Sequence, residues 1–117
     1  MLRSMLKSKI HRATITETHL DYEGSITIDS DLVAASDILP GEKVHVVNLN
    51  NGIRLETYVI SGEAGSGTVC LNGPAARCGQ PGDIIIIITY CLLDEADVKS
   101  HKPIVVKVDA NNKLVGA

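Results

Sequence analysis

The stretch PGDIIIIITYCLL, residues 81–93, decides the fold class of this chain. Pro-Gly-Asp is typical of a tight turn, and the ten residues after it are apolar apart from Thr89 and Tyr90. A strand that faces solvent on one side would alternate apolar with polar side chains. Residues 84–93 are therefore predicted to form a strand that is buried on both faces, as inside a barrel or a sandwich.

Short strands with turn signals between them fill much of the remaining chain. Stretches rich in β-branched residues predict strands over residues 9–16, 25–28, 43–49, 53–60, 68–71 and 104–108. Asn51-Gly52 lies between two of these stretches and tolerates the positive φ that a tight hairpin turn requires. The sequence therefore predicts that residues 43–49 and 53–60 form a hairpin.

Two short helices are predicted from their capping residues. Asp29 and Ser30 are good N-caps for a helix over residues 31–36, and Asp94 is the N-cap expected for a helix over residues 95–100. About seven short strands with two or three short helices are typical of a mainly β barrel. With 117 residues the chain is predicted to form a single domain, residues 1–117.

The composition argues against several classes of function. The chain has 14 acidic and 11 basic side chains and a net charge of −3. Proteins that neutralise phosphates are usually basic, so this balance argues against a nucleic-acid partner. The chain has no Trp, no Phe and three Tyr, which excludes base-stacking platforms and aromatic cages.

Apolar runs and cysteines predict a cytoplasmic protein. The longest purely apolar run, residues 84–88, is much shorter than the roughly 20 residues that a membrane-spanning helix needs. The N-terminus shows no apolar core of a secretory signal. Cys70, Cys78 and Cys91 are odd in number and lack the paired spacing of a zinc site. We therefore expect three reduced thiols, no bound metal and no membrane contact.

The segment Tyr22-Glu23-Gly24-Ser25 allows two interpretations. The ordinary one is a turn that enters a strand, with Gly24 supplying unusual backbone geometry. The other is a self-processing bond, because a serine hydroxyl can attack the carbonyl of the preceding residue where the backbone is strained and water is excluded. A glycine before the serine permits such strain.

Two further patterns could carry chemistry or be ordinary surface. Alternation along residues 53–60 puts Arg54, Glu56 and Tyr58 on one face of a strand, where Arg can clamp a carboxylate and a Tyr hydroxyl can deliver a proton. The segment NGPAAR, residues 72–77, presents an Asn amide and backbone N–H groups to an anion. A solvated hairpin face and a turn that starts a short helix are the structural alternatives.

Taken together, these segments resemble the pyruvoyl-dependent L-aspartate α-decarboxylases of bacteria over nearly the whole chain. The order and spacing of the segments make the resemblance specific. They are Met5-Leu6, Lys9-Ile10-His11-Arg12-Ala13, Tyr22-Glu23-Gly24-Ser25, Asn51-Gly52, Arg54, Thr57-Tyr58, Asn72-Gly73, Ala75-Ala76-Arg77 and Gly82-Asp83. The resemblance implies a small double-psi β-barrel and a homotetramer with sites between neighbouring subunits.

The resemblance also implies a chemistry. Ser25 attacks the Gly24 carbonyl, and the chain separates into residues 1–24 and 25–117 with a pyruvoyl group, made from Ser25, at the start of the second piece. L-Aspartate forms a Schiff base with this covalent cofactor and loses CO₂, since decarboxylation needs an electron sink that no unmodified side chain supplies. The product is β-alanine for pantothenate synthesis.

Each matching position inherits an expected role from the family. Ser25 and Tyr58 are the catalytic residues, with Tyr58 as the proton donor. Thr57 and Asn72 assist processing at Gly24, and Thr57 also faces the substrate. The remaining positions are expected to bind substrate: Arg54 and Lys9 as carboxylate anchors, His11 and Tyr22 as pocket lining, and Gly73, Pro74 and Ala75 through their backbone.

One position departs from the family pattern, and alternatives to the enzyme remain open. Pro74 stands where the family usually has alanine, and proline has no N–H to donate. A non-catalytic β-barrel binding module, or a pyruvoyl decarboxylase of another amino acid, would share much of the pattern. Some relatives need a separate maturation protein, and the sequence leaves that requirement open.

Overall fold

The computed structural model describes residues 1–116, so the last residue of the predicted domain lies outside it. In chain order the elements are β1 (Leu2–Thr14), β2 (Glu17–His19), β3 (Ser25–Asp29), α1 (Ser30–Ala35), β4 (Lys43–Asn48), β5 (Arg54–Gly62), β6 (Val69–Asn72), a 3₁₀ helix (Gly73–Arg77), β7 (Ile84–Asp94), α2 (Glu95–Val98) and β8 (Ile104–Lys107). The predicted mainly β class with two or three short helices is confirmed.

The strands form a single sheet with crossovers in it. Their order is β2-β6-β3-β5-β4-β7-β1-β8. Most neighbours are antiparallel, but β1 with β8, β2 with β6 and β3 with β5 run parallel. Parallel neighbours cannot be joined by a tight hairpin, so the chain must cross over between them. Two register shifts bend β1 against β7, and the whole arrangement is consistent with the small β-barrel expected.

The hairpin predicted around Asn51-Gly52 is confirmed, and its register positions later site residues. β4 and β5 pair antiparallel from Lys43 opposite Tyr58 to Val47 opposite Arg54. Gly52 has a φ of 75°, a conformation that L side chains rarely adopt. Asn51 Oδ1 accepts a hydrogen bond from the Ile53 N–H, which closes the turn.

The prediction that residues 84–93 are buried on both faces is wrong. Along β7, Ile85, Ile87 and Thr89 are buried, whereas the alternate positions are partly or fully exposed and Leu92 is 66% exposed. β7 lies in the interior of the sheet between β4 and β1, and one face packs on the core. The rest of the described chain covers the other face only in part. The cover that one chain provides therefore does not explain why the sequence of β7 has apolar residues on both faces.

Other elements differ from the prediction at their ends. β2 was not predicted, because only three residues pair and they include Glu17 and His19. The helix expected over residues 95–100 ends at Val98. Asp94 occupies its N-cap position, but its side chain makes no capping hydrogen bond and lies 3.8 Å from the N-terminal amino group.

Asp29 is the N-cap of α1, as predicted, and also ties a distant loop to the start of the helix. Its carboxylate accepts hydrogen bonds from the N–H groups of Asp31, Gly65 and Gly67 at 2.8–3.1 Å. Burial alone would raise the pKa of this carboxyl, but the three N–H donors together with the charge of Lys113 outweigh burial, and the pKa is lowered. The ionised form that holds the loop is therefore present at neutral pH and is lost only as pH falls through that lowered pKa.

The core is aliphatic, as the absence of Trp and Phe requires. Its largest fully buried side chains are Ile10, Ile15, Ile26, Ile28, Leu32, Leu71, Ile85, Ile87, Val44, Val46, Val59 and Val69. They come from both ends of the sheet order, which is the packing expected when a sheet curls around one core. Within residues 1–116, no helix has the length and apolar character needed to cross a membrane.

Candidate active site

The site is built where β3 begins and β6 ends. These strands pair antiparallel, and their register places Ser25 directly opposite Asn72. Both side chains are buried, at 0% and 2% exposed. The sheet therefore brings a serine at the start of one strand into contact with a buried asparagine 47 positions later in the chain.

The Asn72 amide is held by three side chains. Its Nδ2 donates to Ser25 Oγ and to Thr27 Oγ1, each at 2.9 Å. Its Oδ1 accepts from the Cys70 thiol, with sulfur and oxygen 3.3 Å apart. A thiol that donates to the oxygen end fixes the amide so that its NH₂ group points at Ser25. Ser25 Oγ in turn donates to the Glu23 carbonyl at 3.3 Å.

The Cys70 thiol keeps its proton at neutral pH. Burial raises its pKa to about 11, and the nearby Glu17 carboxylate adds to the rise. The donor that orients Asn72 is therefore present under ordinary conditions. No motif in the sequence marks Cys70 or Thr27 as a site residue. Their spacing could have indicated them, because residues two apart on a strand share a face, as Cys70 does with Asn72 and Thr27 does with Ser25.

Gly73 lets the chain before Ser25 approach β6 closely. Its φ is +61°, and a Cβ built on it would lie 2.6 Å from the Tyr22 carbonyl oxygen and 2.7 Å from the Gly24 nitrogen. On the other side, a Cβ on Gly24 would lie 3.4 Å from Pro74 Cδ. The backbone of residues 22–24 is therefore packed directly against the turn after Asn72.

Replacing Gly73 by alanine should disturb the junction between Gly24 and Ser25. We expect Gly73→Ala to displace residues 22–24 from Asn72 and to slow any cleavage of that junction by at least about tenfold, since a gap of 2.6 Å cannot hold a methyl group. Gly82→Ala is the matched control, because Gly82 also has a positive φ but has no atom within 4 Å of its Cβ. Cleavage is followed by intact mass over time. Equal rates for the two variants would show that the close packing has no role.

A shallow concavity of about 390 Å³, the hollow beside Gly24, lies next to the start of β3. Its lining residues are Gly24, Leu55, Glu56, Thr57, Tyr58, Pro74, Ala75 and Cys78. The structure thus brings together five residues that the sequence analysis singled out: Gly24, Thr57, Tyr58, Pro74 and Ala75. Ser25 does not line the concavity but lies immediately after Gly24, fully buried.

Arg54 and Tyr58 lie on the exposed side of β5, as alternation predicts. Arg54 Nη2 donates to the Tyr90 hydroxyl at 2.9 Å, and within residues 1–116 it forms no salt bridge. Glu56 lies between them on β5, and its Oε1 is 3.2 Å from Lys43 Nζ and 3.2 Å from His45 Nε2. The Arg54 guanidinium is therefore held by a neutral hydroxyl and keeps its charge available for an anion.

Lys9 and His11 are not brought to the concavity by this chain. Both lie on β1, where Lys9 pairs with Val105 and His11 with Lys107 of β8. His11 lines a different hollow, next to Lys107 and Val108. Burial lowers the pKa of His11, with the charges of Lys9, Arg12 and Lys107 adding to the effect, so its imidazole is neutral at pH 7.

Tyr22 reaches the site with its backbone and not with its ring. Its carbonyl packs on Gly73, but its side chain is 61% exposed. The ring stacks on His19, with the ring centres 4.7 Å apart. Five of the predicted substrate-binding residues lie outside the lining of the hollow beside Gly24 in a single chain: Lys9, His11, Tyr22, Arg54 and Gly73.

The arrangement offers a defined set of chemical groups. A buried hydroxyl next to a glycine carbonyl is held by an amide donor of fixed orientation. Beside it lies an open hollow that is lined by Tyr58, Pro74 and Ala75. Such a set can stabilise an oxyanion at the Gly24 carbonyl and can supply a proton to a small molecule in the hollow.

Comparisons with known proteins match the chain almost from end to end. A family model described as "Aspartate decarboxylase" matches residues 1–115. The chain is 61% identical over 115 residues to the aspartate 1-decarboxylase of Pelotomaculum thermopropionicum, covering 98% of this chain and 87% of that protein. It is 59% identical to that of Thermoanaerobacter pseudethanolicus, covering 98% of each. It is 63% identical to that of Caldicellulosiruptor saccharolyticus, covering 98% of this chain and 90% of that protein.

Proposed function

The chain belongs to the aspartate decarboxylase family, and from that membership and the site's geometry we propose that it converts L-aspartate to β-alanine and CO₂ for pantothenate synthesis. The observation that carries the proposal is the hydrogen bond of 2.9 Å from the Asn72 amide to the buried Ser25 hydroxyl beside Gly24. A merely structural turn has no need of a buried serine with a donor of fixed orientation. We propose that it prepares the chain for cleavage between Gly24 and Ser25, into residues 1–24 and 25–117.

Cleavage begins with Ser25. Its hydroxyl attacks the Gly24 carbonyl carbon, and the Gly24 acyl group transfers from the Ser25 backbone nitrogen to Ser25 Oγ. Asn72 Nδ2 is the donor placed to stabilise the negative charge that develops, and Thr57, which lines the hollow beside Gly24, is the second candidate donor. Burial of Ser25 excludes water that would otherwise compete for the carbonyl.

A pyruvoyl group made from Ser25 would carry its ketone oxygen, taken from water, on the former Cα, while Oγ would leave with the Gly24 carboxylate. Asn72 Nδ2, which is 2.9 Å from Oγ, would then be a free N–H donor beside the new group, and such a donor suits a carbonyl oxygen as well as a hydroxyl. A pyruvoyl group formed there supplies the electron sink that decarboxylation of an α-amino acid requires. No metal is part of this proposal, because charge withdrawal comes from that carbonyl.

Tyr58 and Arg54 act on the substrate. Tyr58 lines the hollow beside Gly24, where we propose that its hydroxyl delivers a proton to the former α-carbon after CO₂ has left. The Arg54 guanidinium, two residues earlier on the same exposed side of β5, would exchange its bond to Tyr90 for a bidentate pair with a substrate carboxylate. Backbone groups at Gly73 and Ala75 hold the substrate, and Pro74 contributes no N–H.

We propose that a homotetramer completes the site with Lys9, His11 and Tyr22 of neighbouring subunits. Two observations support this. Within one chain Lys9 and His11 lie on β1, away from the hollow. The outer face of β7 is partly exposed although its sequence is that of a strand covered on both sides. A second copy packed on that face would explain the sequence and bring charged groups to the hollow.

We propose that the protein works in the cytoplasm. Cys70, Cys78 and Cys91 are all free, which suits a cytoplasmic protein. Whether a separate maturation protein is needed is decided by cleavage of the purified chain on its own.

The test of the substrate is competition between amino acids on cleaved protein. We expect release of CO₂ from L-aspartate, with β-alanine as the amine, and little turnover of L-glutamate, L-alanine or L-lysine. A dicarboxylate suits a hollow that has Arg54 nearby and that gains Lys9 of a neighbouring subunit in the proposed tetramer, whereas a cationic substrate would be repelled. Products are separated by amino-acid chromatography. Preferred turnover of another amino acid would identify a different decarboxylase, and a fully cleaved protein that releases no CO₂ would refute the proposal.

A further inference from the structure

A second group of chemically active side chains lies behind the site. The parallel pairing of β2 with β6 places Glu17 opposite Cys70 and His19 opposite Asn72. Side chains two apart on a strand share a face, so Glu17, His19 and Cys70 meet on one side of the sheet. A carboxylate oxygen, an imidazole nitrogen and the thiol sulfur of these residues all lie within 4.8 Å of one another.

This trio has the chemistry of a site for a thiophilic divalent cation. Cysteine sulfur, histidine nitrogen and glutamate oxygen are the donor types that Zn²⁺ takes at about 2.0–2.3 Å. The buried Cys70 is fixed on its strand, whereas Glu17 and His19 are partly exposed and can adjust to an ion. His19 Nε2 already lies 2.8 Å from Glu17 Oε2, and His19 is the side-chain hydrogen-bond partner found for Glu17 within residues 1–116.

We propose that Glu17, His19 and Cys70 bind a thiophilic divalent cation such as Zn²⁺, and that the bound ion slows cleavage between Gly24 and Ser25. The first half stands on the geometry of the trio alone. The second half rests on the proposed function, because it requires that this junction is cleaved. None of the three residues lines the hollow beside Gly24, so the cation would act from outside the substrate site.

The hydrogen bonds of Asn72 connect the two places. Without an ion, the Cys70 thiol donates to Asn72 Oδ1, and the amide presents its NH₂ group to Ser25 Oγ at 2.9 Å. When an ion binds the sulfur, the thiol proton passes to solvent and the sulfur becomes an acceptor. The amide is then favoured in the reverse orientation, with NH₂ toward sulfur and oxygen toward Ser25. Ser25 and Gly24 thereby lose the donor that the cleavage step uses.

Cation binding is tested first on the uncleavable Ser25→Ala chain, with Co²⁺ as the probe. Cobalt bound to a cysteine sulfur gives a sulfur-to-metal charge-transfer absorption in the near ultraviolet, which we expect to appear on titration. Adding Cys70→Ser should abolish the band, and adding His19→Gln should weaken binding by at least about tenfold. Adding Cys78→Ser is the matched control for an unrelated thiol and should leave the band. Absence of the band, or its survival in Cys70→Ser, would overturn the proposal.

The effect on cleavage is tested with Zn²⁺ on the chain that carries Ser25. Each protein is compared with its own rate in EDTA by intact mass. We expect Zn²⁺ to slow cleavage of the unaltered chain by at least about tenfold and His19→Gln, which keeps Cys70, Asn72 and Ser25, to need at least about tenfold more Zn²⁺ for the same effect. Unchanged cleavage at saturating Zn²⁺, or equal sensitivity of the two proteins, would overturn the coupling. A chain that stays whole in EDTA, both alone and after addition of cell extract from the source organism, would refute the proposed function and leave the Co²⁺ result standing.

Discussion

Decarboxylation of aspartate by the Tyr58→Phe protein is expected to fall about 10²–10⁴-fold, the usual contribution of a placed general acid. The substitution removes one oxygen atom and keeps the ring, which is 38% exposed at the wall of the hollow beside Gly24. Loss of packing is therefore small, and the loss of rate reports on the proton that the hydroxyl delivers.

The measurement separates this role from an effect on maturation. Intact mass first establishes that Tyr58→Phe is cleaved to the same extent as the unaltered chain, and kcat and KM for aspartate are then determined. We expect kcat to fall with little change in KM, because the hydroxyl acts after the substrate has bound. A cleaved Tyr58→Phe protein with normal kcat would assign the proton to another group.

Asn72→Ala is expected to slow cleavage between Gly24 and Ser25 by about 10²–10³-fold, the effect of removing one donor to a developing oxyanion. In the structure Asn72 Nδ2 is 2.9 Å from Ser25 Oγ and is the side-chain N–H donor to that atom within residues 1–116. Alanine leaves the hydroxyl without it and removes the proposed donor to the oxyanion that forms at Gly24. Decarboxylation falls in proportion to the uncleaved fraction.

Thr27→Val is the matched control for Asn72→Ala. It removes the second acceptor of the Asn72 amide, Thr27 Oγ1 at 2.9 Å, while the bond to Ser25 remains. It should keep most of the cleavage rate, measured as the fraction of intact chain over time. If Asn72→Ala cleaves as fast as Thr27→Val, the amide serves only the packing of β6.

Local signals predicted the parts of the fold that local physics controls. Asn51-Gly52 favours a conformation that few other dipeptides accept, so the hairpin, though not its register, could be predicted from these two residues. Asp29 was recognisable as a helix cap because a short carboxylate satisfies the free N–H groups of the first turn. The alternation that places Arg54 and Tyr58 on one side of β5 needs only the pleat of a strand.

Features that depend on distant neighbours could not be read from the sequence in the same way. The second face of β7 is only partly covered by this chain. An apolar run predicts a strand covered on both faces, but it does not indicate what covers each face. β2 has three residues and gains its place from pairing with β6, so Glu17 and His19 gave no strand signal and their meeting with Cys70 was missed. The separation of Lys9 from the hollow likewise depends on the sheet order.

The proton on Cys70 illustrates the same limit at the site. A lone cysteine in a strand pattern is ordinarily a small buried hydrophobe. Its role as donor to Asn72 Oδ1 appears only when the structure gives the distance of 3.3 Å and the burial that raises its pKa to about 11. The resemblance to a family supplied Asn72 and Ser25 as a pair, but not the residue that orients the amide between them.

Self-cleavage at Ser25 is tested by the intact mass of the purified protein after warm incubation, compared with Ser25→Ala. We expect two fragments, residues 1–24 and 25–117, with the larger one lighter than simple hydrolysis would give by the mass of one ammonia. Ser25→Ala should remain a single chain. An unaltered chain that stays whole, alone and after addition of cell extract from the source organism, or a larger fragment that keeps an N-terminal serine, would show that no pyruvoyl group is made from Ser25.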